Sequence, residues 1–166
     1  MRRIGLAVLL MGLTGCSLFG SPTVGGTGSE YPGWAPRATT PEPTQGDVEA
    51  TYRPLLDAVM PLAASTLRIT WGTVTVAKTG IAGGCGYSVS ALGSGGARTS
   101  ADYVGFKPAI DPILAGRGFA ATKVAENQGG QTVLTSVDGS NAYLSMRGRG
   151  IDTTIEVLVY LHDGSC

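Results

Sequence analysis

Histidine is almost absent from this chain: His162 is the only one in 166 residues. That excludes a zinc site built on two imidazoles and the HExxH arrangement of metallopeptidases. No GxSxG, SxxK, GxGxxG or Walker-type loop occurs, so neither a nucleophile elbow nor a phosphate cradle has a signature. Charge is sparse as well, at 14% of residues, with 12 basic and 12 acidic side chains. The acidic residues stand singly, which leaves no carboxylate pair for glycoside hydrolysis. The basic ones form no cluster that would hold nucleic acid or an anionic lipid surface. No cofactor and no metal is expected. An activity assembled from distant positions stays open, but a non-enzymatic role is the expectation.

Long apolar runs are missing too. The longest, Ile4 to Leu13, has ten residues. As a helix it reaches about 15 Å, half the apolar thickness of a bilayer, so it cannot span one. Preceded by Arg2 and Arg3, it has the charge and length of a secretory signal. It ends in Leu13-Thr14-Gly15-Cys16. This order of charge, apolar run, aliphatic residue, two small residues and cysteine resembles the lipobox of bacterial lipoproteins. The resemblance covers residues 1–16. It implies removal of a signal peptide over 1–15, diacylglycerol on the Cys16 thiol and acylation, as by palmitate, of the new amino terminus. A single acyl chain binds a membrane only marginally, whereas two or three hold stably. The alternative is a plain secretory signal with an incidental cysteine.

Residues 16–46 carry that cysteine and a tether. "SPTVGGTGSE" and "APRATTPEPTQG" are rich in Gly, Ser, Thr and Pro and nearly free of aliphatic side chains. Such a stretch buries too little apolar surface to offset its ordering entropy, and as a coil it reaches roughly 30 Å. Tyr31 and Trp34 are its exceptions. Loss of Arg2 and Arg3 leaves ten basic against twelve acidic residues, a mature charge of about −2. The expected location is extracytoplasmic, anchored to the cell membrane, or to the outer membrane where there is one. The Ala/Gly/Thr/Arg bias suits a high-GC, actinobacterial genome, and the chain resembles the small envelope lipoproteins of such bacteria.

With Cys16 taken by lipid, Cys85 and Cys166 remain as an even pair in an oxidising compartment. Joined, they close a loop of about 80 residues, worth at most about 4.5 kcal/mol by chain entropy, and they hold the last strand against fraying. Two free thiols is the other reading.

Residues 47–166 are expected to form one α+β domain: an antiparallel sheet of about five to six strands with two helices packed on one face. Val48, Tyr52, Leu55, Val59 and Leu62 recur at helical spacing. Pro54 requires either a start near Thr51 or a kink. In "LRITWGTVTVAK" (67–78) the inward set changes phase at Gly72, which predicts a bulge. "CGYSVSA" (85–91) alternates with Cys85, Tyr87, Val89 and Ala91 on one face. A second helix is expected from N-cap Ser100 through Phe106, Ile110, Ile113 and Leu114, shortened or broken by Pro108 and Pro112. "AATKVAE", "QTVLTSV", "NAYLSMR" and "TTIEVLVYLH" read as four strands. The glycine clusters "AGGCG" and "LGSGGA" read as turns, and so does "RGRG" (147–150).

One face points outward. With Ile155, Val157, Val159 and Leu161 inward, Glu156, Leu158, Tyr160 and His162 point the other way, beside Tyr143 and Arg147 of the preceding strand. Tyr and Arg are favoured at contact hot spots. These six residues are therefore the candidate binding face, expected to expose two tyrosines and a leucine. A covering loop or tether, or an ordinary half-apolar sheet surface, is the competing reading. The expected role is a membrane-anchored binding or scaffolding module for an envelope protein, a cell-wall glycan or a lipid-derived ligand. An envelope hydrolase or a carrier of lipid or another small ligand is the alternative.

Overall fold

In the computed structural model of the chain, the residues described are 42–81, 84–95, 98–126, 130–139 and 142–161. Helix α1 (Gln45–Leu67) opens on a capping box. The Thr44 hydroxyl accepts from the Asp47 amide at 3.2 Å, and the Asp47 carboxylate accepts from the Thr44 amide at 2.9 Å. Helix α2 (Ser100–Ala115) repeats the device with Thr99 and Asp102. Its cap is thus one residue earlier than the expected Ser100. These reciprocal bonds satisfy amides that a helix start otherwise leaves without partners.

Both helices continue through their prolines, so α1 does not start near Thr51 and α2 is not broken. α1 contains Pro54 and Pro61, and α2 contains Pro108 and Pro112. All four lie on exposed faces, and so do Ala50, Asp57, Val104 and Pro108, the residues whose carbonyls lose an i−4 partner. Water can satisfy a carbonyl there, which reduces what each proline costs. Buried Val48, Leu55, Leu56, Val59, Ala63 and Leu67 line α1, and Tyr103, Phe106, Ile110 and Leu114 line α2. Arg68 ends α1 in the left-handed region at φ 54°. Leu67 belongs to this helix and not to the strand that follows.

The strands are β1 (Ile69–Trp71), β2 (Thr75–Ile81), β3 (Gly84–Gly95), β4 (Lys123–Glu126), β5 (Thr132–Val137), β6 (Ala142–Arg149) and β7 (Asp152–Leu161). They form one antiparallel seven-stranded sheet in the order β1-β3-β7-β6-β5-β4, with β2 also paired to β3. The sheet is larger than the expected five to six strands because one edge is split. Trp71 pairs with Gly93 and Thr75 with Ser90. Three residues therefore face two at Gly72, whose amide donates to the Leu92 carbonyl at 2.8 Å. That extra residue is the phase change predicted from the sequence.

All three glycine clusters read as turns are partly strand, since Gly84 and Gly86 of "AGGCG" also lie in β3. Gly93 and Gly95 extend β3, and Gly148 lies in β6. A Cβ at Gly93 would come within 2.5 Å of Ile69 Cγ2 and 2.6 Å of Trp71 Cε3, and one at Gly148 within 2.7 Å of the Tyr103 hydroxyl. Glycine is needed at these positions for space rather than for a turn. Gly150, at φ 59°, supplies the actual β6–β7 hairpin turn.

Register places Val89, Val157 and Leu144 in one row, and Ala91, Ile155, Met146 and Leu134 in the next. These residues and the buried stripes of both helices form a single hydrophobic cluster. Among the described residues no helix is long and apolar enough to cross a membrane.

Two outcomes follow. Gly93→Ala lowers the unfolding free energy by about 1–3 kcal/mol through overpacking, whereas Gly80→Ala, with nothing within 4 Å of its added Cβ, changes it by less than about 0.5 kcal/mol; urea unfolding of the mature chain measures both. Hydrogen bonds from the Thr44 hydroxyl and amide, and from the Thr99 amide and hydroxyl, hold Asp47 and Asp102 below the ordinary carboxylate value. Their contribution to stability is therefore present above about pH 4 and is lost as pH falls through the lowered folded values. A Thr44→Ala, Thr99→Ala chain is expected to lose melting temperature less steeply than the parent on acidification below pH 4.

Candidate functional site

Alternation along β3, β7, β6 and β5 gives the sheet a second face, opposite the side chains that join the hydrophobic cluster. Its central row runs Ser90, Glu156, Ser145, Thr135. One neighbouring row is Ser88, Leu158, Tyr143, Val137, and the other is Leu92, Thr154, Arg147, Val133. The six predicted face residues are only partly brought together. Tyr143 and Arg147 on β6, and Glu156, Leu158 and Tyr160 on β7, share this face; His162 lies outside the described residues.

The expected exposure is corrected at two of them. Leu158 is fully buried and Tyr143 is 6% exposed. A Cβ on Gly86, on β3 beside Leu158, would sit 3.2 Å from Leu158 Cδ1. Leu158 lies over the room that the missing side chain leaves, with Tyr143 as its directly paired neighbour on the other side. Arg147, Glu156 and Tyr160 remain half-buried.

Glu156 organises the polar part. Its Oε1 accepts from the Ser88 hydroxyl at 2.6 Å, and its Oε2 lies 3.5 Å from Arg147 Nη2. Both contacts are diagonal across strand pairs, so one carboxylate ties β3 and β6 to β7. The Arg147 and Glu156 side chains are 27% and 18% exposed. A pair so placed holds orientation more than it adds stability, since desolvation offsets most of the Coulomb gain.

Ser145 faces Glu156 directly across the β6–β7 pair. It is 1% exposed, and its hydroxyl is buried without a hydrogen-bond partner. A hydroxyl so left costs about 1–3 kcal/mol. Sequence alternation put Ser145 outward without giving it a role, and it passed over Ser88. The signal lay in the serines of "YSVSA" and "LSM", which alternate against the apolar set.

A second buried hydroxyl lies in the core. Tyr103 packs against Gly148, and burial pushes its ionisation up to about 12, against the influence of Thr153 and Arg98 beside it. It stays neutral at any physiological pH and serves packing. Cys85 is fully buried on β3 and is disulfide-bonded; Cys16 and Cys166 lie outside the described residues. Among the described residues no three His, Cys, Asp or Glu side chains converge as metal ligands. What the outer face offers chemically is a carboxylate, a guanidinium and hydroxyls, arranged to exchange hydrogen bonds.

No protein-family model matches the chain, and no curated protein does. Among solved structures it is similar to a DUF4853 family protein from Actinomyces odontolyticus ATCC 17982, at 13% identity and a TM-score of 0.40, over 71% of this chain and 69% of that one. A likeness that slight carries neither fold nor role across.

The two serines are expected to respond with opposite signs. Ser88→Ala removes a hydrogen bond to a carboxylate and costs about 1.5–3 kcal/mol, whereas Ser145→Ala removes an unpaired buried hydroxyl and is neutral or stabilising by about 1 kcal/mol. Denaturant midpoints of the two variants, at unchanged slope, measure both.

Proposed function

We propose that the chain is a lipid-anchored envelope protein of the bacterial cell surface, acting as a binding or scaffolding module. The observation that carries this reading is Leu13-Thr14-Gly15-Cys16 directly after the Ile4–Leu13 run. On this reading residues 1–15 are the signal peptide, Cys16 bears the lipid and begins a tether to residue 46, and residues 47–166 are the displayed extracytoplasmic domain. The tether enters at Thr44. From there α1 rises about 33 Å over its 23 residues to Arg68. The Arg68 carbonyl accepts from Arg98, close to Gly95, whose amide donates to Ile151 of the β6–β7 turn. The hairpin end of the sheet therefore stands away from the point of attachment.

The reading takes both helices to cover one face of the sheet, supported by the single cluster that joins their buried stripes to the inward residues. The other face, with Arg147, Glu156 and Tyr160 half-buried on it, is then the binding face. It also takes Cys85 and Cys166 as the disulfide pair. Cys85 is bonded and stands opposite Leu161 in the β3–β7 register, five residues before Cys166, a gap that extended chain spans with ease.

Cys16→Ser is expected to abolish labelling by an alkyne-tagged palmitate and to move the protein from the membrane pellet to the soluble fraction. Retention in the pellet without label would overturn the anchor. In living cells, a photo-crosslinker at Tyr160 is expected to give a discrete adduct, and the same group at Thr39 none. Equal adducts from both positions, or none from Tyr160, would remove the outer face as the docking surface.

A further inference from the structure

We infer that the hairpin end of the domain docks on an anionic lipid bilayer, the one that holds Cys16, an inference that rests on the lipid anchor of the proposed function. Three features carry it. The first is where apolar side chains are open. The large hydrophobic side chains exposed among the described residues are Leu92, Val104 and Ile151, at 70%, 55% and 64%, and all three stand at this end. Ile151 belongs to the β6–β7 turn, and its carbonyl accepts from the Gly95 amide at 2.9 Å. Leu92 lies about 10 Å back along β3, three register positions from Ile151. Val104 follows Tyr103, which packs against Gly148 just before the same turn. Aliphatic side chains so open gain from burial at the headgroup and acyl boundary.

The second feature is charge. Basic residues form no run in the sequence, but the fold gathers Arg68, Arg98 and Arg149 at this end. The Arg98 guanidinium donates to the Arg68 carbonyl at 3.0 Å and lies over Gly95, and Arg149 ends β6. Arg68 and Arg149 are exposed, and neither side chain joins an ion pair or hydrogen bond among the described residues. Arg147 is held by Glu156, and Asp102 is taken up by the α2 cap. That leaves Asp152, opposite Arg149 in register, as the carboxylate facing three arginines. The end where the tether enters has the reverse sign, with Asp47, Glu49 and Asp138 around Arg53 and Tyr52. A domain polarised in this way turns its hairpin end towards an anionic surface. The third feature is reach. From Cys16 to Thr44 the tether has about 28 residues and extends to roughly 90 Å, well beyond the length of α1, so the far end can turn back to the bilayer. Held there by lipid, it meets the surface at high effective concentration, and a contact too weak to recruit a free protein is still populated. A protein partner needs a continuous apolar centre, whereas Ser94 and Asp152 separate Leu92 from Ile151, a spacing that suits insertion between headgroups. Docking inverts the domain and points the acidic start of α1 away from the membrane.

The test uses the lipidated mature protein in vesicles of phosphatidylcholine, with or without phosphatidylglycerol. An environment-sensitive fluorophore is carried on Ile151→Cys or, as control, on Ala50→Cys near the start of α1. With phosphatidylglycerol present, emission from position 151 is expected to shift to the blue and emission from position 50 to stay unchanged. The shift is expected to be at least halved by Arg68→Gln combined with Arg149→Gln, by Leu92→Ser, and in the parent by salt at about 1 M, which screens the charges. All three substituted side chains are exposed, and an unchanged melting temperature confirms the fold; the salt comparison needs no variant. No shift at 151, an equal shift at 50, an equal shift without phosphatidylglycerol, or a shift that survives both the arginine substitutions and salt would overturn the proposal. So would a shift that appears only when envelope proteins are added to the vesicles, which would assign the surface to a protein partner. Flotation with the vesicles reads the anchor separately. Protein that floats without a shift keeps the anchor and loses the docking surface; protein that does not float loses both.

Discussion

The ten consecutive residue pairs between β3 and β7, from Cys85↔Leu161 to Ser94↔Asp152, are the constraint on which the rest of the structure depends. In a two-faced sheet a slip of one residue would exchange every inward and outward side chain. This register puts Val89 against Val157 and Ala91 against Ile155, so the central strands contribute adjacent apolar rows to the hydrophobic cluster. The same pairs put Ser88 and Ser90 around Glu156. One alignment thus decides the core on one side and the polar cluster on the other. β6 extends it by placing Leu144 and Met146 inward and Ser145 and Arg147 outward.

The parts of this arrangement legible in the sequence are those governed by local period. The alternation of "CGYSVSA" and "TTIEVLVYLH" gives the two faces directly. The phase change at Gly72 gives the bulge, because an extra residue in one strand must invert the alternation after it. The illegible parts are those where distant residues decide. Proline lowers helix propensity wherever it stands, and only the fold reveals that Pro54, Pro61, Pro108 and Pro112 all face solvent. Glycine signals a turn in sequence, yet Gly93 is strand because the Trp71 and Ile69 side chains occupy the space above it, and Gly148 because Tyr103 does.

The candidate site was readable to the same extent. Period two placed Tyr143, Arg147, Glu156, Leu158 and Tyr160 on one face, and they share it. Their exposure was not readable. The close approach of Leu158 to Gly86, some seventy residues earlier in the chain, is a contact that local period does not reveal. The role of Ser145 has the same character, since a serine in an alternating strand is ordinary until its neighbours close over it.

That serine shows where local and global demands on the chain diverge. Nearly every other feature agrees across levels: capped helix starts, prolines on the wet side, apolar rows in register, a glycine under each large side chain that needs room. A sequence consistent to that degree tends to break its own rules at functional positions, where stability is given up for a ligand. A buried, unpaired hydroxyl is such a break. Alanine at 145 would pack as well and leave no polar group stranded. The Ser145 hydroxyl is therefore a cost that the packing of the chain itself does not offset.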